Sequence, residues 1–288
     1  MKYLFFILVL LSSSTFSQEN DKTHYTWNTF NSTRIINSHS TEMLEKKSMD
    51  MKIGHRFGDI AGTNGGVKTL FGIDNSSDIA VGLEAGITNN FNIGITRYKG
   101  AGPYLQLYEG YAKYKLLAQS NKMPFTLVGL AKFNVTSMPS SSNSASPASF
   151  PDFVSRTSSS YQLLLAKKFS ERFSLQVMPT YVHRNYVGFY DQNGTFAVGA
   201  GARLQLTKLI GIIGEYHYVL FENGVQEALK TFNPIALGFE FDTGGHIFQL
   251  NFSNSRGFGE VQYIPTTFSN FTEGQFRFGF SISRVFKL

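Results

Sequence analysis

The closing stretch of the chain, QFRFGFSISRVFKL (Gln275 to Leu288), decides the fold. Phe276, Phe278, Phe280, Ile282, Arg284, Phe286 and Leu288 fall on one face; Gln275, Arg277, Gly279, Ser281, Ser283, Val285 and Lys287 fall on the other. A period of two is the side-chain repeat of a β-strand, with one apolar aromatic face and one polar face. Such a strand packs on a soluble core, or it faces lipid on one side and a wet lumen on the other.

Composition separates these two readings. Charged residues make up 16% of the 288, against roughly 25% in ordinary soluble domains, and aromatics reach 15%, with 28 Phe and 14 Tyr. Glycine is plentiful, proline is scarce, and mean hydropathy lies near zero. A helical membrane protein would be far more apolar. A transmembrane β-barrel needs half of each strand greasy and half polar, which gives this balance. The net charge of +6 is spread along the chain with no Lys/Arg block, so no nucleic-acid partner is indicated. With no cysteine, disulfides, thiol catalysis, thiolate metal sites and lipid attachment through an N-terminal Cys are excluded.

The N-terminus reads as a signal peptide, residues 1–17. Lys2 is a short basic region, and Tyr3 to Leu11 (YLFFILVLL) is an apolar run well short of the about 20 residues a spanning helix needs. Thr15 and Ser17 suit a cleavage site before Gln18. Residues 18–47 are polar and weakly periodic, a periplasmic or plug segment. Residues 48–288 alternate throughout, in about twelve strands that match the roughly 9–11-residue length of a tilted membrane-crossing strand. The first carries Met49, Met51, Ile53, His55 and Phe57 opposite Asp50, Lys52, Gly54 and Arg56. Another sets Tyr104, Tyr108 and Tyr114 opposite Glu109, Lys113 and Lys115.

The connections keep a rhythm. Long ones fall near 59–76, 137–156, 184–194, 221–233 and 254–274; short ones fall near 88–90, 119–123, 170–172, 207–209 and 242–245. The loop at 98–103 occupies a long slot but is short. Tight periplasmic turns and larger outer loops define an outer-membrane barrel; a soluble sandwich has no physical reason to alternate in this way. The fold class is therefore all-β, an antiparallel transmembrane barrel with both ends on the periplasmic side.

Four stretches, TFNSTRIINSHSTEML (Thr29 to Leu44), MKIGHRFGDI (Met51 to Ile60), FGIDNSSDIAVGLEAGITNNFNIGITR (Phe71 to Arg97) and YEGYAKYKLL (Tyr108 to Leu117), resemble a family of uncharacterised outer-membrane β-barrel proteins of Gram-negative bacteria. The resemblance implies a barrel and a cell outer-membrane location, and it supplies no catalytic or ligand residues. The last strand is also similar to the signal read by the outer-membrane barrel-assembly machinery, departing from it in ending on Leu288 and in placing Arg284 on the outward face. There Arg284 would have to sit near an interface and snorkel.

The chemistry-bearing residues are sparse. GTNGGVKT (Gly62 to Thr69) faintly resembles a phosphate-binding loop, but it lacks a Gly directly before Lys68 and leads into no helix, so a flexible outer loop is the plainer reading. His39, Glu42 and His55 are the one His/Glu cluster close in sequence and the one candidate metal set. Polar residues at the periplasmic mouth are the simpler account, and no cofactor is indicated. An esterase needs a His base beside its nucleophile. No His has Ser two residues on, which leaves cross-strand pairs, with His39 and His217 to be tested. The lumen face carries Lys52, Arg56, Lys113, Lys115, Lys132, Lys168, Arg203 and Arg277 against Asp50, Glu84, Glu109, Glu215 and Glu240. This slight cationic excess hints at anionic solutes. The partners expected are a lipid bilayer, the assembly machinery and a small solute. The functional expectation is a barrel passing or binding small solutes, with an adaptor barrel binding a partner through its loops, and a membrane-embedded hydrolase, as alternatives.

Overall fold

Alternation of apolar and polar residues makes every strand amphipathic, and only closure removes the two edges a membrane cannot satisfy. The computed structural model describes residues 22–75, 78–100, 104–144 and 146–288, so the signal-peptide expectation lies outside the described residues. The strands are β1 (Ser48–Asp59), β2 (Asp78–Thr88), β3 (Phe91–Lys99), β4 (Gln106–Leu117), β5 (Thr126–Thr136) and β6 (Thr157–Lys168). They continue as β7 (Phe173–Arg184), β8 (Gly194–Gln205), β9 (Ile210–Leu220), β10 (Ile235–Asp242), β11 (Ile247–Ser253) and β12 (Arg277–Lys287). Each pairs antiparallel with its sequence neighbour, and β12 pairs with β1 to close the barrel. The seam runs from Ser48 opposite Lys287 to Arg56 opposite Gly279, then shifts register before Asp59 opposite Arg277. Two short helices, α1 (Val225–Leu229) and α2 (Glu260–Tyr263), lie in connections.

Short and long connections segregate to the two ends of the barrel, a turn end and a loop end. Both β1 and β12 meet the turn end, where the Leu288 N–H donates to the Lys47 carbonyl at 2.8 Å. Met51, Ile53, Leu83, Ile95, Phe133, Leu163, Val198 and Phe239 point outward and are exposed, whereas Asp50, Glu84, Glu109, Lys113, Lys132, Arg203 and Glu240 point inward and are buried. Arg284 lies outward beside the turn end, its guanidinium 3.4 Å from His246 Nε2 and over the Phe286 ring.

Two features differ from expectation. Tyr104 precedes β4 and is buried among Leu107, Phe150, Val261 and Ile264, not aligned with the exposed Tyr108 and Tyr114. The 254–274 connection does not stay wet: α2 and the following Ile264 are fully buried in the loop end of the bore. Val261, Tyr263 and Ile264 are the physical reason, since an apolar triplet gains by leaving water.

Candidate functional site

The bore is the space through which a solute would cross a barrel, and in this molecule polypeptide occupies it. Thr33 to Thr41 is buried at every position, with Ser38, His39 and Ser40 wholly enclosed. Its sequence folds back on itself: Ile35 N–H donates to Ser38 O, Ser40 N–H donates to Thr33 O, and Arg34 bridges His39. The tip, residues 35–38, would leave backbone N–H groups without partners inside a barrel, a costly arrangement. Glu215 on β9 removes that cost by accepting from Asn37 N–H at 2.9 Å, Ser38 N–H at 3.1 Å and Ile36 N–H at 3.4 Å. Gln249 donates to Ile35 O, Gln176 to His39 O and Lys113 to Glu42 O. Gly201 makes room on the wall: a Cβ there would stand 2.4 Å from Ile35 Cδ1.

A second set of charges ties this segment to the loop end. Arg34 Nη2 lies 3.6 Å from Glu109, which also accepts from Tyr98 OH at 2.8 Å and pairs with Lys132 at 3.3 Å. Lys132 pairs in turn with Glu260 of α2. Arg56 holds the same two pieces, donating to the carbonyls of Ser255 and Gly257 and to Asn37 Oδ1. The segments touch where Ser38 Oγ sits 2.9 Å from His217 Nε2 and 3.3 Å from Tyr263 OH. Beside them a void of about 40 Å³, lined by Arg34, Asp50, Lys52, Arg56 and Glu84 among others, has room for roughly three waters.

The residues singled out from sequence scatter through this arrangement. Lys52 donates to Ser32; Glu84 accepts from Asn92 and Tyr111 and lies 3.9 Å from Lys113; Arg203 pairs with Glu240 at 2.9 Å; Arg277 pairs with Asp59 at 2.8 Å. Lys115 is half-buried towards the turn end, and Lys168 reaches Trp27 O. The metal set does not assemble. His39 lies inside the bore, Glu42 accepts from Phe30 N–H near the turn end, and His55 faces outward, stacked 5.6 Å from Phe280. The barrel wall separates the two histidines because His39 precedes the strands and His55 is on the outward parity of β1. Among the described residues no group of three acidic or His side chains could hold a metal ion.

Sequence reasoning missed the Ser38–His217 pair, which no local spacing could signal. It is no nucleophile for acyl transfer as it stands. His217 Nδ1 has no partner to orient the ring, the Glu215 oxygens are taken by backbone N–H groups, and Ser38 is fully enclosed. Burial, and then the charges of Arg34, Lys132 and Lys113, hold the His39 imidazole well below its ordinary value of 6.5.

A closed amphipathic barrel with an apolar exterior and an occupied polar bore is a membrane β-barrel. The chain belongs to the family of the Membrane bound beta barrel domain (DUF5777), which matches residues 30–286 and so includes the inner segment as well as all twelve strands. No curated protein is similar in sequence. Among solved structures the chain is similar to the KdgM porin, at 9% identity and a TM-score of 0.50, over 83% of this chain and 99% of that one. It is also similar to the NanC porin, at 9% identity and a TM-score of 0.49, over 83% of this chain and 100% of that one. A third is the COG4313 outer membrane channel of Pseudomonas putida F1, at 12% identity and a TM-score of 0.46, over 85% and 98%. At such identities the first likeness carries the fold alone.

Proposed function

We propose that the chain is an outer-membrane channel for small hydrophilic solutes, held shut by residues 30–44 as a plug. The observation that carries this reading is how the inner segment is bound. Much of its hold on the wall is hydrogen bonding to Glu215, Gln176, Gln249, Lys113 and Arg56, with a smaller apolar contact of Ile35 and Ile36 on Ala166, Ile213 and Ala236. Each such bond contributes only about 0.5–1.5 kcal/mol net, or about 1.5–3 kcal/mol to a charged group, because water can replace it. A polar wall whose partners water can replace suits a segment that leaves the bore.

Export through a signal peptide cut after Ser17 and insertion by the barrel-assembly machinery belong to the same reading. Lys2 with the apolar run behind it, and the alternating aromatics of β12, support them. The deciding measurement is conductance of the purified protein in planar bilayers, intact and lacking residues 18–47. Stepwise conductance that rises on deletion is expected. Silence of both forms, with the barrel still heat-modifiable on gels, would favour the adaptor reading. For that reading the exposed loop aromatics Phe189 and Tyr190 supply a contact surface.

A further inference from the structure

Another cavity, of about 490 Å³, opens at the loop end. Phe57, Gly58 and Asp59 from the end of β1, Asn64, Asp74 and Asn75 from the following loop, and Asp78, Arg256 and Arg277 line it. Its floor is built, not incidental. Arg277 pairs with Asp59 at 2.8 Å, both nearly buried, and is held by Asn254 O and Ser269 Oγ. Arg256 forks onto both oxygens of the buried Asp78 at 3.2 and 3.3 Å. Its outer wall is pinned: Gly58 N–H donates to Gly72 O, Asn75 N–H donates to the same carbonyl, and Ile60 N–H donates to Phe276 O. Gly72 has φ 87°, and a Cβ there would stand 2.4 Å from Gly58 O, so only glycine permits this approach. The neighbouring Leu70 and Phe71 hold φ values of 45° and 54°, a strained turn for L residues. Asn64, Asp74 and Asn75 are exposed at the opening.

The chemistry narrows the ligand. Three carboxylates against two guanidiniums, both already neutralised, disfavour an anion. The carboxylates do not converge as cation ligands, since no group of three acidic side chains here could hold a metal ion among the described residues. What remains is a concave set of planar polar groups, donors and acceptors together, beside one aromatic ring. Hydroxyl groups both donate and accept, and vicinal pairs of them match carboxylate, amide and guanidinium forks. Phe57, whose ring stacks on Phe278 at 5.7 Å, bounds one side, and the volume is within the range of small-molecule sites.

We propose that this cavity is a binding site for a neutral saccharide of one or two rings, in which Asn64, Asp74 and Asn75 contact the hydroxyl groups and the two ion pairs form the floor. This does not depend on the bore opening. The test uses the whole chain in a detergent without a sugar headgroup, lauryldimethylamine oxide. Saturation-transfer NMR and calorimetry are run with maltose, lactose, galacturonate and calcium chloride. Saturable binding of a neutral disaccharide is expected, with a dissociation constant on the order of 1 mM. It should weaken at least about tenfold in Asn64→Ala/Asp74→Ala, a change in exposed side chains, with heat-modifiable migration retained as the check on folding. No saturation by either disaccharide, binding of galacturonate or calcium alone, or unchanged affinity in the double variant would overturn the assignment.

Discussion

Lys132 sits between two carboxylates inside the bore. Its ammonium is fully buried between Glu109 and Glu260 and lies 5.7 Å from the Tyr111 ring centroid. Arg34 is near enough to Glu109 to compensate one carboxylate, but among the described residues Lys132 is the one cation paired with Glu260. Lys132→Met should therefore cost about 3–5 kcal/mol, the range for removing one partner of a buried pair. The urea midpoint of the heat-modifiable form in detergent measures it. Adding Glu260→Gln should restore part of the loss, because the stranded charge goes with it. No recovery in the double variant would mean that Lys132 acts through packing and not through its charge.

The inner segment, as an element, is sensitive to acid. His39 contacts Tyr111 at 4.8 Å between ring centroids, and neither ring nitrogen has a hydrogen-bond partner. Inside the bore its imidazole is kept neutral; withdrawn into water it would titrate at its ordinary value, about 6.5. Below that pH the withdrawn state binds a proton that the closed state refuses, so the closed state loses stability as pH falls. Glu42, whose carboxyl burial pushes up, works in the opposite sense at lower pH. Open events in bilayers should become more frequent from pH 7 towards pH 5.5, and His39→Phe should flatten that dependence. Gly201→Val should also raise the open fraction at neutral pH, since a side chain there collides with Ile35. A bore equally silent in G201V would count against the segment as the gate. The strands were legible because period two survives any tertiary context in a one-layer wall, as Phe276, Phe278 and Phe280 illustrate. The contents of the bore were not. Arg34, Ser38, His217 and Glu260 meet across separations of up to 225 residues, as Ser38 and Tyr263 do, and no local pattern encodes such meetings. The apolar residues Val261, Tyr263 and Ile264, close together in the 254–274 connection, were an available sign.

Across the whole molecule, the lumen wall mixes signs. If the inner segment withdraws, it takes Arg34 with it and leaves Lys52, Arg56, Lys113, Lys132, Arg203 and Arg277 among Asp50, Asp59, Glu84, Glu109, Glu215, Glu240 and Glu260. A ring of one sign would give strong selectivity; this near-balanced mixture should give little preference for either sign. Reversal potentials in a potassium chloride gradient, measured on the form lacking residues 18–47, check it, and a strong preference for either ion would contradict the assigned wall. The seam carries a consequence for the order of events in folding. Ser48 and Lys287 stand opposite one another, so closing that ladder must bring together the first and last strands of the barrel. Its closure entropy is the largest of any strand pair, and it should zip last. Glu45 to Lys47 alone separate the buried residues from β1, so the same late event carries the segment to its mouth. A circular permutant opened at the 169–172 turn would join β12 to β1 through the inner segment and leave the late step to β6 and β7, uncoupling closure of the cylinder from the filling of its interior.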